Sequence, residues 1–241
     1  MNTDRRDFVK LVGTGVAVAG LGAGTARAAE DSGRQGPRWA MVVDLRLCIG
    51  CQACTVACSV ENRVPLGSFR TLVTNYEVTS HGEARRYTLP RLCNHCQKPA
   101  CVTVCPTQAT SKRADGAVVV DNTICIGCGY CVQACPYDAR FINETTRTVD
   151  KCTFCLHRVE AGLLPACVET CVSGARIFGD LNDPQSAVAT LVRKHPVQVL
   201  KRDMGTEPMV FYIGLDAAFA GRIQGEQVLF AAGSSVTEEV R

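Results

Sequence analysis

Aromatic residues are scarce in this chain. They make up 6% of 241 residues, and Trp39 is the only tryptophan. A core dominated by large rings is therefore excluded, and a small one is expected. There is no Ser–His–Asp set, no phosphate-cradling glycine loop and no flavin or nicotinamide fingerprint. The chain accordingly offers nothing of its own that binds and transforms a substrate. It has no basic stripe and no nucleic-acid-binding motif, so no nucleic-acid partner is expected. Beyond residue 28 no run is apolar enough to span a bilayer, and membrane contact is expected only through a partner.

Cysteine is what the chain has in excess, with 16 residues falling into four groups and none left over. The third group is Cys125, Cys128, Cys131 and Cys135, followed by Pro136. This C-x2-C-x2-C-x3-C-P run is the bacterial ferredoxin spacing for a [4Fe–4S] cluster. Three closely spaced thiolates reach three iron corners of a cubane from one loop. Gly127 and Gly129 let that loop wrap, because glycine takes positive φ without strain. The fourth cysteine lies one helical turn beyond and points away, and Pro136 ends the turn. The first group, Cys48, Cys51, Cys54 and Cys58, has the same spacing without the proline. The second, Cys93, Cys96, Cys101 and Cys105, adds two residues in its second gap and ends on Pro106. The fourth, Cys152, Cys155, Cys167 and Cys171, has a long insertion in that gap. Four cysteines per cubane give four [4Fe–4S] clusters, with all 16 cysteines as iron ligands. Zinc sites also use C-x2-C pairs, but they do not need the third and fourth cysteines in this order.

In two-cluster ferredoxins the fourth cysteine of each run serves the other cluster. The second and third groups both end in Cys-Pro, and a hairpin signal at Asp115 and Gly116 lies between them. Exchange then puts Cys93, Cys96, Cys101 and Cys135 on one cluster, and Cys105, Cys125, Cys128 and Cys131 on another. The outer groups are left to pair across them, as Cys48, Cys51, Cys54 with Cys171, and Cys152, Cys155, Cys167 with Cys58. Sequential pairing of the first group with the second is the alternative.

The expected fold class is α+β, a tandem of two bacterial two-cluster ferredoxin folds with short strands, hairpins and loops around the clusters. Residues 29–92 and 151–216 form the outer half, residues 93–150 the inserted middle half, and residues 217–241 a tail. Strands are expected at 40–44, 117–120, 197–200 and 209–213. Hairpins are expected from 69–78 with 85–89, turning at Ser80, His81 and Gly82, and from 140–142 with 147–149. Asp183 is the expected cap of a helix with Pro184 at its first position and Val188, Leu191 and Val192 on its apolar face.

Residues 1–28 read as an address. Arg5, Arg6 and Phe8 precede an apolar run at 11–24 and an A-x-A site at Ala26, Arg27 and Ala28. This is a twin-arginine export signal and implies a periplasmic protein, peripheral to the inner membrane. The route carries folded proteins, so clusters can be inserted in the reducing cytoplasm first. That resolves the conflict between 16 free thiols and an oxidising destination. The formal charge of +3 turns acidic once thiolates and cluster cores are counted. Arg46, Arg91, Lys98, Lys151 and Arg158 are expected to offset part of it, with Lys151 solvated. His95 and His157 are expected to donate to cluster sulfurs, since the cysteine count leaves no place for a histidine ligand. Asp180 and Asp183 read as a turn and a cap.

Residues 91–96 (RLCNHC), 134–143 (ACPYDARFIN), 161–167 (AGLLPAC), 174–180 (GARIFGD) and 211–216 (FYIGLD) carry a resemblance. With the four-group order, they resemble the iron–sulfur subunits of the molybdopterin oxidoreductase family over residues 39–219. That family includes dimethyl sulfoxide, polysulfide, nitrate and tetrathionate reductases and formate dehydrogenase. The stretches are most similar to the tetrathionate reductase branch. The resemblance implies the same nested pairing. It also implies four [4Fe–4S] clusters, because no position carries the tryptophan that gives the nitrate reductase branch a [3Fe–4S] centre. The implied role is a non-catalytic electron carrier between a quinol-oxidising integral membrane subunit and a molybdopterin catalytic subunit. The Cys48 set would face the catalytic subunit, and the Cys125 set or its neighbour the membrane anchor.

Overall fold

Ala40, Met41, Val42 and Val43 are all fully buried, so the strand they form needs cover on both faces. In the computed structural model, which describes residues 36–80 and 83–215, this is β1 (Trp39–Asp44). The export segment at 1–28, His81 and Gly82 of the expected turn, and the tail at 217–241 lie outside the described residues. From β1 the chain runs through α1 (Ala53–Glu61), the long hairpin β2 (Thr71–Ser80) and β3 (Glu83–Leu92), and α2 (Ala100–Thr103). The short hairpin β4 (Thr110–Lys112) and β5 (Val118–Val120) follows, then α3 (Tyr130–Gln133) and a second short hairpin, β6 (Arg140–Ile142) and β7 (Val149–Lys151). Next come the single turns α4 (Leu156–Val159) and α5 (Ala166–Glu169). The chain continues with β8 (Arg176–Asp180), α6 (Ala187–Lys194), β9 (Val197–Gln198) and β10 (Val210–Ile213). The architecture is mixed α/β, and among the described residues no helix is long and apolar enough to cross a membrane.

One four-stranded sheet joins the two ends of the described chain. Its order is β8-β1-β10-β9, with β1 antiparallel to β8 and parallel to β10. Side chains alternate across a strand. Ala40 and Val42 of β1 pack with Met209, Ile213 of β10 and Val188 of α6. Met41 and Val43 point the other way, with Val210 and Tyr212, into a core that includes Cys54, Cys93, Cys152 and Cys167. The few large rings concentrate there. Trp39 stacks on Phe178 at 5.2 Å, and Phe154 meets the same ring edge-on at 5.2 Å. The β2–β3 hairpin is tied to the sheet where Tyr212 Oη donates to the Pro90 carbonyl at 2.9 Å, just before Cys93.

Most expected elements are present, with three differences. Helix α6 begins later than the Asp-Pro signal implies. Ser186 is its cap, its Oγ accepting from Ala189 N at 3.1 Å. Asp183 instead closes a turn by accepting from Gln185 N at 2.9 Å, and Asp180 does the same for Asn182 N at 2.8 Å. The second strand of the β6–β7 hairpin lies at 149–151, because Asn143 Oδ1 accepts from Thr145 N and Thr146 N and lengthens the turn. Strand β8 has no strong signal of its own. Its sequence, RIFGD, is short and charged at both ends, and it exists because β1 offers a free edge.

Candidate iron–sulfur centres

The four C-x2-C turns share one backbone device. Their third residues, Gly50, His95, Gly127 and Phe154, all have positive φ, at 71°, 41°, 67° and 55°. At Gly127 no other residue fits, since a Cβ there would run into the Arg147 carbonyl. At His95 and Phe154, side chains are accepted in the left-handed region because the rings hold each other, stacked at 3.7 Å. A helix then presents the third cysteine of each group, Cys54 on α1, Cys101 on α2, Cys131 on α3 and Cys167 on α5. Backbone amides point at sulfurs: Thr110 N donates to Cys105 Sγ at 3.4 Å, Val149 N to Cys125 Sγ at 3.5 Å and Phe154 N to Cys152 Sγ at 3.4 Å.

Helix α1 packs against α5, and α2 against α3, so thiols far apart in sequence meet. Cys48 lies in the field of Cys54 and Cys171. Burial, reinforced by Cys167 and Cys155, pushes the Cys58 thiol up to about 12. Burial and the neighbouring Cys58 and Cys167 raise Cys152 well above its ordinary value. One cavity is lined by Cys58, Cys152, Cys155 and Cys167 together, with Asn62, Arg70 and Phe154 among its other walls. Burial, then Cys93, Cys101 and Cys135 among others, pushes Cys96 up to about 12. Cys131 is buried near Arg140, whereas Cys51 and Cys128 are exposed. Burial acts to raise Cys171, but amides of Arg176 and Ala175 and the Ser173 hydroxyl outweigh it and hold the thiol below its ordinary value. Among the described residues no three Cys, His, Asp or Glu converge tightly enough to hold a single ion.

The charges around these thiols fit an anionic metal group. Arg140 and Arg176 are each 3% exposed, and neither forms an ion pair with a carboxylate among the described residues. A buried unpaired cation is costly, and the anions available to both are the cysteine sulfurs. Arg140 Nη2 donates to Cys101 Sγ at 2.9 Å. Arg176 is buried among Cys167, Cys54 and Cys152. Asn62 Nδ2 reaches Cys58 Sγ at 3.5 Å and Cys155 Sγ at 3.7 Å, and Arg70 orients it by donating to its Oδ1 at 2.9 Å. Thiol-lined spaces with backbone amides, an amide side chain and guanidiniums aimed at sulfur are the donor set that [4Fe–4S] clusters require.

Several expected neighbours take other roles. Lys151 is not solvated but 1% exposed, its ammonium donating to the carbonyls of Val118 and Cys152. Burial lowers its pKa. His95 keeps its Nε2 buried and without a hydrogen-bond partner among the described residues, available to donate to a cluster sulfur. Its Nδ1 accepts from Val118 N at 3.0 Å, and burial, with Lys151 and Arg140 nearby, holds it well below its ordinary pKa and therefore neutral. His157 is on the surface and pairs with Glu61 at 2.8 Å. Arg46, Lys98 and Arg158 are engaged by Asp44, Glu207 and the Glu61–Glu169 pair, so they are not committed to the thiols. Sequence reasoning assigns no role to Arg140, Arg176 or Asn62. The available signal is a repeated offset, an arginine at the fifth position after the last cysteine in two groups.

These features define an iron–sulfur protein that carries [4Fe–4S] clusters. Residues 84–181 match the family model described as 4Fe-4S dicluster domain. The chain is 62% identical over 192 residues to the tetrathionate reductase B subunit of Salmonella typhimurium, covering 78% of this chain and 77% of that one. It is 44% identical over 180 residues to the tetrathionate reductase B subunit of Archaeoglobus fulgidus, covering 75% and 84%. It is 38% identical over 209 residues to the selenate reductase B subunit of Mesobacillus selenatarsenatis, covering 73% and 72%. The chain belongs to this family of reductase iron–sulfur subunits, and its role is electron transfer.

Proposed function

We propose that the chain holds four [4Fe–4S] clusters and relays electrons from a quinol-oxidising membrane subunit to a molybdopterin subunit that reduces tetrathionate. The ligand sets are Cys48, Cys51, Cys54, Cys171; Cys58, Cys152, Cys155, Cys167; Cys93, Cys96, Cys101, Cys135; and Cys105, Cys125, Cys128, Cys131. The packing of α1 on α5 and of α2 on α3 supports this nested exchange over sequential pairing, and with it a tandem ferredoxin-like design. When bound, each cluster takes up and returns one electron. The chain's residues fix the spacing, exclude water and supply the hydrogen bonds and charges that set potentials.

The observation that carries this reading is that thiols of successive sets neighbour one another. Cys54 neighbours Cys167, Cys152 neighbours Cys93, and Arg140 faces both Cys101 and Cys131 among its thiol neighbours. These neighbours support the order Cys48 set, Cys152 set, Cys93 set and Cys125 set. A file of redox groups has two ends, and exposed apolar side chains flank both. Leu47, Ile49 and Val172 adjoin Cys48 and Cys171, and Ile124, Ile126 and Tyr130 adjoin the Cys125 group. Such surfaces suit protein partners, the catalytic subunit at the first end and the anchor at the second. Sixteen cysteines for the iron corners of four cubanes leave none open for substrate, so the chain itself turns nothing over. The tetrathionate assignment rests on the names of the two relatives above. Export rests on Arg5, Arg6 and the A-x-A site. Replacing both arginines by lysine should leave a loaded precursor in the cytoplasm; normal export of that variant would remove the twin-arginine reading.

The test of function is to delete this chain, keep its partners, and assay tetrathionate reduction with quinol and with a small dye donor. Quinol-linked activity should vanish while dye-linked activity survives. Persistent quinol-linked activity would show that the chain is not the wire. Loss for selenate or dimethyl sulfoxide with tetrathionate untouched would keep the role and change the substrate.

A further inference from the structure

We propose that Arg140 and Arg176 are a repeated pair of fixed cations, each seated between two adjacent clusters and setting both of their potentials together. The proposal rests on the four-cluster reading and adds to it the residues that couple the clusters in pairs.

The two arginines occupy one position of an internal repeat. Each stands fifth after the last cysteine of its group, Cys135 for one and Cys171 for the other. The third residue of each connection is left-handed, Asp138 at φ 47° and Gly174 at φ 66°. The fourth is a buried alanine, Ala139 or Ala175. Each arginine then opens a strand, β6 or β8. After Cys105 the same connection runs through Gln108 at φ 58° and buried Ala109, and its fifth residue is Thr110. Arg140 Nη1 donates to that Thr110 hydroxyl at 3.2 Å, so the two repeats meet. Arg176 Nη2 donates likewise to the Thr71 hydroxyl at 2.8 Å.

Both guanidiniums face the third cysteine of two different sets. For Arg140 these are Cys101 on α2 and Cys131 on α3. For Arg176 they are Cys54 on α1 and Cys167 on α5. These are the helix pairs that pack together, so each arginine lies at the seam of one pair. Hydroxyls and sulfurs, with no carboxylate among the described ion pairs, leave each positive charge available to the clusters. Arginine keeps its charge at any working pH, so the effect is permanent. A nearby cation favours the more negative, reduced state and raises the potential. One cation facing two sets moves two potentials in the same direction.

The test is an anaerobic redox titration followed by EPR on the full chain, with iron and sulfide counted in each sample. Cys→Ser variants at Cys54, Cys101, Cys131 and Cys167, one in each set, assign the signals. Wild type should hold about four iron and four sulfide per set; a shortfall there counts against the four-cluster reading, whatever the arginines do. In loaded Arg176→Met the midpoints of the Cys48 and Cys152 sets should both fall while the other two hold. Arg140→Met should lower the Cys93 and Cys125 sets and spare the first two. Arg→Lys at either site should restore most of the shift. Four unchanged midpoints in a loaded neutral variant would overturn the proposal, as would movement of one set alone or of all four. Where the methionine variant loses iron, Arg→Gln is titrated by the same criteria. Iron loss from both neutral variants with full loading of the lysine variant supports the charge role. Loss from all three overturns it in favour of a packing role.

Discussion

Gly127 has no room for a side chain, and that makes it the sharpest residue-scale test of the cluster loops. Gly127→Ala forces a Cβ against the Arg147 carbonyl in the left-handed region. It should cost about 1–3 kcal/mol. Gly129→Ala has the same backbone sign but open space around its Cβ, so it should cost about 1–2 kcal/mol at most. Thermal unfolding of loaded protein reads the difference, and equal costs would disprove the collision. The thiols give a second test. Burial keeps Cys58 and Cys96 protonated up to about 12 when no cluster is bound. A metal takes the thiolate, so loading must expel these protons, and it should weaken as pH falls and strengthen as pH rises toward that value. Reconstitution in weak buffer with an indicator dye should therefore release acid at neutral pH. At this scale the glycines and cysteines are legible in the sequence, because their roles follow from spacing. Arg140, Arg176 and Lys151 are not, because burial of a long cation is decided by elements that arrive from elsewhere in the chain.

Helix α6 shows how an element is placed by competition between two start signals. Asp183 and Pro184 make an attractive beginning, yet Ser186 caps the helix and Asp183 closes the turn before it. Ser186→Ala should destabilise the protein by about 1 kcal/mol, and Asp183→Ala by less; a larger loss at Asp183, in paired unfolding experiments, would return the cap to the earlier residue. The pairing of groups is tested at this scale as well. With α1 on α5, Cys171→Ser should damage the cluster held by Cys48, Cys51 and Cys54 and at first spare the middle pair. Damage confined to the cluster of Cys152 and Cys155 would reject exchange. The hairpins and β1 are legible because their patterns are local: alternation, an Asp-Gly turn, an uninterrupted apolar run. Strand β8 is not, since its only reason to be extended is the edge of β1, far away in sequence.

Across the whole molecule, cysteine takes much of the place that aromatic side chains fill elsewhere. Cys54, Cys93, Cys152 and Cys167 sit in the main buried cluster beside Met41, Val43 and Tyr212. Removing iron would leave that core with empty space and two buried guanidiniums facing neutral thiols. Each uncompensated charge costs several kcal/mol. Stripped protein should therefore lose its cooperative unfolding transition in calorimetry, and reconstitution should bring it back; a stripped protein that melts as sharply as the loaded one would show that the polypeptide folds without its metal.

The sheet β8-β1-β10-β9 has a consequence for how the molecule is made. Its central strand β1 emerges from the ribosome early, but both of that strand's hydrogen-bonded neighbours are encoded much later in the chain. On the pairing proposed above, the first cysteine group would then wait, reduced and without Cys171, while the middle groups already have their partners. That pairing predicts an order of maturation during synthesis, inner pair first and outer pair last. A nascent chain halted before Cys152 should therefore hold iron only in its middle.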